Sequence, residues 1–214
     1  MKSQDIGLLL KLESMGKSGL SPQRKLLSAW PHDWKDWASS PGDADWAGDW
    51  EGLDLAISGP SIYSARSLEK LTGISKSQIN LSLRRCVDVG LAKYDRKTGV
   101  PKANSRALYE FIKYGLKYVF PAKPGELVRG IATTFSAPIL KDKLLSAGDF
   151  KLVWPNADGN TKGLAIEPLF KSVGYAVRYD PTLYAMLALV DAIRIGQPRE
   201  KNLAQAMLQE LLQP

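Results

Sequence analysis

Residues 63–104 read YSARSLEKLTGISKSQINLSLRRCVDVGLAKYDRKTGVPKAN, and this stretch decides the fold that the sequence predicts. Its first part has the pattern of a short helix to Leu71, a turn at residues 72–73 and a second helix. Ser75 and Gln78 have the spacing of a capping box, in which each side chain bonds the backbone N–H of the other residue. We therefore predict that the second helix begins at Ser75.

A two-stranded hairpin is predicted directly after this second helix. Residues 91–94 are strand-like, residues 95–99 have the composition of a turn, and residues 100–103 return as a second strand. A cap at residues 104–105 then begins a further helix that runs to about Val119. The predicted order is therefore helix, turn, helix, hairpin, helix.

Positive charge is concentrated in the second helix and the hairpin. Residues 76–106 hold eight basic and two acidic residues, which gives +6 of the net charge of +7. A basic helix face is most often only solvated, but clustering over two adjacent elements favours an acidic partner such as DNA. A major groove about 12 Å wide admits one helix, and a basic hairpin suits the phosphate backbone or the minor groove. The candidate DNA-contacting residues are Lys76, Ser77, Gln78, Asn80, Arg84 and Arg85 on the helix, and Lys93, Arg96, Lys97 and Lys102 on the hairpin.

Three features of this stretch resemble the winged helix-turn-helix of bacterial transcriptional regulators, particularly MarR-like ones. They are the Leu-Thr-Gly-Ile-Ser turn at 71–75, the Val-Gly-Leu exit at 89–91 and the basic hairpin. The resemblance implies that the second helix enters the major groove, that the hairpin acts as a wing, and that the protein is a homodimer. The region after Pro121 does not follow that pattern, so the family's dimer interface is not carried over to this chain.

The rest of the composition argues against a zinc protein, a disulfide-stabilised protein and a membrane protein. The single cysteine, Cys86, cannot form an internal disulfide, and with the single histidine, His32, it cannot build an ordinary zinc site. We interpret Cys86 as a small buried apolar residue of the second helix. No apolar run is long enough to span a membrane, and the first residues lack a signal peptide, so we expect a cytoplasmic protein without metal or cofactor.

Two regions flank the predicted winged helix. Ser3–Met15 is predicted as a helix, and residues 30–52 form an insert with five tryptophans and a net charge of −5, from six acids against Lys35. Trp30, Trp34 and Trp37 have helical spacing. We interpret the insert either as a loop packed on the domain surface or as a docking element that binds a protein partner or covers the basic surface.

The predicted fold class is mostly α with a small β-hairpin wing, in two domains. Residues 1–120 form the winged helix-turn-helix domain with its insert, and residues 121–214 form a mostly helical dimerisation or effector domain. Helices are predicted at 165–173, 181–195 and 198–212, while residues 126–163 receive no assignment. Residues 154–160 are predicted to form a loop.

The function predicted from these features is a sequence-specific, double-stranded DNA-binding transcriptional regulator, with repression as the expected action. The alternative is an antitoxin or defence-system component that binds a protein partner and represses its own operon. A plasmid-partition or replication-initiation protein uses the same kind of domain. An enzyme is not expected, because the C-terminal carboxylates lie in no metal-ligand cluster, phosphate loop or nucleophile motif. Those carboxylates are Asp149, Asp158, Glu167 and Asp191.

Overall fold

The computed structural model of the chain describes residues 1–17, 34–38, 59–141, 143 and 150–212. Trp30, His32, Asp149 and most of the insert lie outside these ranges. The statements below concern the described residues. Among them, no helix combines the length and apolar character needed to cross a membrane.

The first part of the described chain is helical apart from one hairpin. Its elements are α1 (Ser3–Lys17), a 3-10 turn (Gly59–Tyr63), α2 (Ala65–Thr72), α3 (Lys76–Asp88), β1 (Ala92–Tyr94), β2 (Pro101–Ala103), α4 (Ser105–Tyr114) and α5 (Leu116–Val119). The two strands pair antiparallel, with Ala92 opposite Ala103. The predicted order of elements is therefore present. The helix predicted to reach Val119 is interrupted at Gly115, and its cap is Asn104, whose side chain accepts the Ala107 N–H.

The second part contains a three-stranded sheet followed by helices. Its elements are β3 (Leu127–Ala132), β4 (Leu152–Pro155), β5 (Thr161–Ala165), α6 (Val173–Ala176), α7 (Pro181–Ile195) and α8 (Pro198–Leu212). β3 pairs antiparallel with β4 and with β5, and these two pair parallel with each other, so each strand contacts both others. Gly130 and Gly163 allow the strands to lie this close. A Cβ at Gly130 would collide with the backbone of Trp154 in β4, and a Cβ at Gly163 would collide with the backbone of Lys151, just before β4.

The helix predicted at residues 165–173 is wrong. Ala165 ends β5, and the backbone N–H of Ile166 donates to the Val153 carbonyl at 2.8 Å, which continues the strand pairing. Pro168 follows two residues later, and a proline inside a helix removes a backbone donor and clashes with the preceding turn. The short helix α6 begins only at Val173. Trp154 and Pro155 belong to β4, so the predicted loop at 154–160 begins after them.

The hydrophobic core is continuous from the N-terminal helix to the C-terminal helices. α7 lies at its centre, and nearly every residue from Pro181 to Arg194 is buried. α1 is also buried around its circumference, and the two helices contact each other. The apolar helix predicted at 181–195 is therefore present, and contacts within one chain are enough to bury it.

The described part of the acidic insert, residues 34–38, is extended rather than helical. Trp37 forms an isolated antiparallel bridge with Gly159, and the Ala38 N–H donates to the Asp158 carbonyl at 2.8 Å. Trp37 is buried, with its ring edge-on to the ring of Tyr184 at a centroid distance of 6.4 Å. The helix suggested by the tryptophan spacing is therefore wrong for these residues, because their backbone pairs with the loop between β4 and β5.

Candidate nucleic-acid interface

α3 has one buried face and one exposed polar face. Ile79, Leu83 and Cys86 are buried at helical spacing and hold the helix against the core. The exposed face holds most of the candidate residues of the helix, and Leu81 lies among them with 43% of its surface exposed. The candidates exposed on this face are Lys76, Ser77, Asn80 and Arg84.

The start of α3 is not held by the predicted capping box. Ser75 is the N-cap residue, but its hydroxyl lies 3.3 Å from the Ser77 hydroxyl and makes no cap bond. Gln78 accepts a hydrogen bond from the Gln4 side chain at 3.2 Å instead of reaching back to Ser75. Glu69 of α2 accepts the Lys76 N–H at 3.1 Å, so α2 satisfies one of the open donors of the α3 N-terminus.

The turn between α2 and α3 is fixed by the C-terminal part of the chain. Gly73 has φ +67°, a left-handed conformation that favours glycine. The Ser172 hydroxyl donates to the Thr72 carbonyl at 2.7 Å, and the Tyr175 hydroxyl donates to the Lys70 carbonyl at 2.7 Å. A Cβ on Gly73 would lie 2.8 Å from the Cβ of Ser172. The turn is therefore closely packed on the region that leads into α6.

A buried carboxylate joins α1 to the middle of α3. Asp5 accepts hydrogen bonds from Arg85 Nε at 2.9 Å and Arg85 Nη2 at 2.6 Å, and it also accepts a short bond from the Ser82 hydroxyl. Burial alone would raise the pKa of Asp5, but the bonds from Arg85, the Lys2 N–H and Ser82 outweigh it and hold this pKa below its ordinary value. Arg85 therefore fixes the position of α3, although the sequence predicted it as a DNA contact.

The hairpin turn is built around Asp95. Its Oδ1 accepts from the backbone N–H groups of Lys97 and Thr98, each at 3.0 Å, and its Oδ2 accepts from Lys102 at 2.8 Å. The hydrogen bond from Lys102 and then those from Thr98 lower the pKa of Asp95 well below its ordinary value. Gly99 completes the turn with φ +67°. The charge of Lys102 is thus shared with Asp95 within the hairpin.

The structure divides the ten predicted residues into two groups. Seven are exposed and form no salt bridge with any described residue, whereas Gln78, Arg85 and Lys102 are engaged with Gln4, Asp5 and Asp95. The seven exposed residues, which we call the α3–hairpin surface, are Lys76, Ser77, Asn80, Arg84, Lys93, Arg96 and Lys97.

Two buried polar clusters were missed by the sequence interpretation. Asp180, at the N-cap of α7, accepts from Lys11 at 2.8 Å and from the Ser14 hydroxyl at 2.7 Å, so it joins α7 to α1. Asp191 accepts from Arg194 at 2.6 Å and from the Trp154 indole at 2.6 Å. The signal available in the sequence was a charged residue within an otherwise apolar helix. Such a residue indicates a buried ion pair, because a buried charge needs a partner.

The remaining carboxylates and the cysteine form no catalytic or metal-binding cluster among the described residues. Asp191 is enclosed by donors, Asp158 pairs with Arg178, and Glu167 is exposed. No group of three or more His, Cys, Asp or Glu side chains in the described ranges could hold a metal ion. Cys86 is fully buried, and burial raises the pKa of its thiol to about 12, which matches a small core residue.

Comparison of the chain with models of protein families, with curated proteins and with solved structures finds no match. The function proposed for the chain therefore depends on the chemistry of the α3–hairpin surface and on the elements that hold it in place.

Proposed function

We propose that the chain binds double-stranded DNA as a winged helix-turn-helix, with α3 in the major groove and the β1–β2 hairpin as the wing. The observation that carries this proposal is the α3–hairpin surface itself. It presents five cations, Lys76, Arg84, Lys93, Arg96 and Lys97, without a carboxylate partner among the described residues. Unpaired cations on adjacent elements attract a polyanion such as the DNA backbone.

The exposed side chains of α3 suit both backbone and base contacts. Lys76 and Ser77 lie in the first turn, and an ammonium group and a hydroxyl are both donors that contact phosphate oxygens. Asn80 pairs well with adenine and Arg84 with guanine when they face the base edges of the major groove. Because both are exposed and Arg84 is free of salt bridges to the described residues, neither has to break an internal ion pair to reach DNA.

The hairpin suits contacts that carry little sequence information. Arg96 and Lys97 lie at its tip, in a turn whose shape Asp95 fixes. A rigid tip holds these cations near the backbone without a large loss of conformational entropy on binding. The wing therefore contributes affinity and orientation, while α3 contributes the discrimination between sequences.

The elements behind the surface favour a preorganised reader. Asp5 holds the middle of α3 through Arg85 and Ser82, and Gly73 packs against Ser172 at the turn. A binding site works best when its side chains are supported by a rigid set of neighbours. α3 is thus held in one orientation before it meets DNA.

A DNA reader that also carries a second region would act as a transcriptional regulator, and we propose repression as its action on the resemblance stated above. A homodimer would place two α3 helices in successive major grooves about 34 Å apart and read a palindromic site. Four statements stay predictions: repression, the homodimer, cytoplasmic localisation and a protein partner of the insert.

The proposal is tested by selecting duplexes from a randomised library with the purified full chain, followed by affinity measurements at several salt concentrations. We expect one sequence motif to be enriched and the affinity for it to fall steeply with salt. Enrichment of no motif, together with weak binding that does not depend on salt, would overturn the proposal. Genome-wide mapping of bound DNA would then locate the regulated promoters.

A further inference from the structure

A second surface, on α4 and α5, carries two exposed tyrosines beside half-buried lysines. Tyr114 at the end of α4 is 64% exposed and Tyr118 on α5 is 73% exposed. Neighbouring exposed aromatic side chains favour an interaction site, whereas a single one does not. We call this surface, together with one residue of α8, the tyrosine–lysine strip; its members are Tyr109, Lys113, Tyr114, Lys117, Tyr118 and Lys201.

Two of the three lysines of the strip, Lys113 and Lys117, lie over its aromatic rings. Lys113 Nζ is 5.6 Å from the ring centroid of Tyr109 and 5.1 Å from that of Tyr114. Lys117 Nζ is 4.7 Å from the ring centroid of Tyr118. These contacts order the side chains. The exposure of Tyr114 and Tyr118 leaves ring surface open to a further planar group.

The charge of the strip is not neutralised within the described part of the chain. Lys113, Lys117 and Lys201 form no salt bridge with a described residue. Burial and then the ammonium group of Lys117 lower the pKa of Lys201. Like charges brought this close are stabilised by an anion that binds between them.

A groove continues the strip toward the other end of α4. It has a volume of about 390 Å³ and lies between α4 and α8, where Tyr109 and Tyr114 meet Gln209 and Leu212. Arg106 borders it and pairs with Glu110, which is the one carboxylate among the described residues that line the groove. The groove is therefore partly apolar, is bordered by aromatic rings and opens beside cations.

These features disfavour a second copy of the chain as the occupant. In a two-fold dimer the same patch meets itself, so the three lysines of each copy would be gathered in one interface, which their like charge opposes. The occupant that matches the charge is an anion. The occupant that matches the tyrosines offers flat rings for stacking. Single-stranded nucleic acid supplies both, because its bases are unstacked and its backbone carries one negative charge per nucleotide.

We propose that the tyrosine–lysine strip binds single-stranded nucleic acid, with bases stacked on Tyr114 and Tyr118 and the backbone near Lys113, Lys117 and Lys201. From Tyr109 to Tyr118 the strip extends over about 14 Å along α4 and α5 at the helical rise per residue, which is enough for two or three nucleotides. This proposal does not depend on duplex binding by the α3–hairpin surface, because the two surfaces share no residue.

The test uses the full chain and fluorescein-labelled oligothymidylate and oligouridylate of about 12 nucleotides, with binding followed by fluorescence anisotropy. We expect Tyr114→Ala and Tyr118→Ala each to weaken binding about tenfold, since stacking contributes about 1–3 kcal/mol per base. Tyr118→Phe keeps the ring and should retain the affinity. The two probes distinguish DNA from RNA as the preferred strand.

Control substitutions outside the strip show whether the loss of single-strand binding is specific to the strip. Phe150, an exposed aromatic residue just before β4, and Lys162, an exposed lysine of β5, lie outside both the strip and the α3–hairpin surface. Phe150→Ala and Lys162→Gln should leave single-strand binding unchanged, while Lys117→Gln should weaken it and reduce its salt dependence. The proposal is overturned if neither oligonucleotide binds. It is also overturned if Phe150→Ala weakens binding as much as Tyr118→Ala, or if polyglutamate competes as well as the oligonucleotides, which would indicate an acidic protein partner.

Discussion

The charged residues of α1 and those of the α3–hairpin surface have opposite environments. Asp5 and Lys11 on α1 are both buried, and each is bonded to an oppositely charged residue of another helix. Arg84 and Arg96 on the α3–hairpin surface are exposed and have no salt-bridge partner among the described residues. Charges of the first kind hold the helices together, and charges of the second kind are available to a partner.

Arg84 and Arg85 show this contrast in two neighbouring residues. Both were predicted to contact DNA, and a rotation of about 100° along the helix separates them. Arg84 is exposed, whereas Arg85 donates two hydrogen bonds to the carboxylate of Asp5. The contrast implies that substitutions at buried charges change stability first, and that substitutions at the exposed surface change binding alone.

The largest effect is expected for Asp180→Ala. The variant leaves Lys11 buried without its partner and removes the side-chain cap of α7, so the free energy of unfolding should fall by about 3–5 kcal/mol. Urea denaturation followed by circular dichroism measures this change. Glu110→Ala, which breaks the exposed pair with Arg106, is the control and should cost under about 0.5 kcal/mol. Equal losses in the two variants would contradict the contrast between buried and exposed charges.

A loss of about 2–3 kcal/mol is expected for Asp5→Asn, because hydrogen bonds to a charged group are replaced by weaker ones. The pKa of Asp5 is lower in the folded state than in the unfolded state, so its stabilising contribution is complete above the unfolded value of about 4. The contribution is lost as the pH falls through the lower folded value. The stability difference between wild type and variant should therefore shrink below about pH 4, and a difference independent of pH would refute this role.

Asn80→Ala and Arg84→Ala should each weaken binding to the selected duplex by about 1–3 kcal/mol and relax its sequence preference. Their stability should change by less than about 0.5 kcal/mol, because both side chains are exposed. Titration of the selected duplex and of a scrambled duplex measures the two effects. If neither variant changes affinity for any duplex, α3 is not the reading helix.

The smallest and least sequence-dependent effects are expected for Arg96→Ala and Lys97→Ala. Each should weaken binding to selected and scrambled duplexes by the same factor, because the proposed role of the hairpin tip is to contact phosphate. The slope of log affinity against log salt should decrease by about 0.9 for each lost contact. Salt titrations of both duplexes measure this slope, and an unchanged slope in both variants would remove the hairpin from the interface.

Local signals predicted part of the fold well. α7 and α8 have the predicted bounds, Pro181–Ile195 and Pro198–Leu212, because both have strong helical periodicity. The hairpin was also predicted, since its turn at Gly99 is encoded within a few residues. The three-stranded sheet was missed because its strands are short and pair across distant parts of the sequence.

The sequence predicted the exposed residues of the candidate site but not the contacts with α1 that hold α3 in place. Helical spacing indicated which face of α3 is exposed, so Lys76, Asn80 and Arg84 could be selected from the sequence. The partner of Arg85 is Asp5, eighty residues away, and no local pattern predicts such a contact. Gln78 likewise bonds Gln4 and not Ser75, because the folded chain brings α1 beside α3.

The most direct test of the α3–hairpin surface is a lysine footprint of the intact chain. Reductive methylation, read by mass spectrometry, compares the reactivity of exposed lysines with and without the selected duplex. Lys76, Lys93 and Lys97 belong to the proposed interface, whereas Lys151 and Lys162 are equally exposed near the three-stranded sheet. The account predicts that the duplex protects the first three and leaves the other two reactive. Equal protection of both groups, or protection of Lys151 and Lys162 alone, would contradict it.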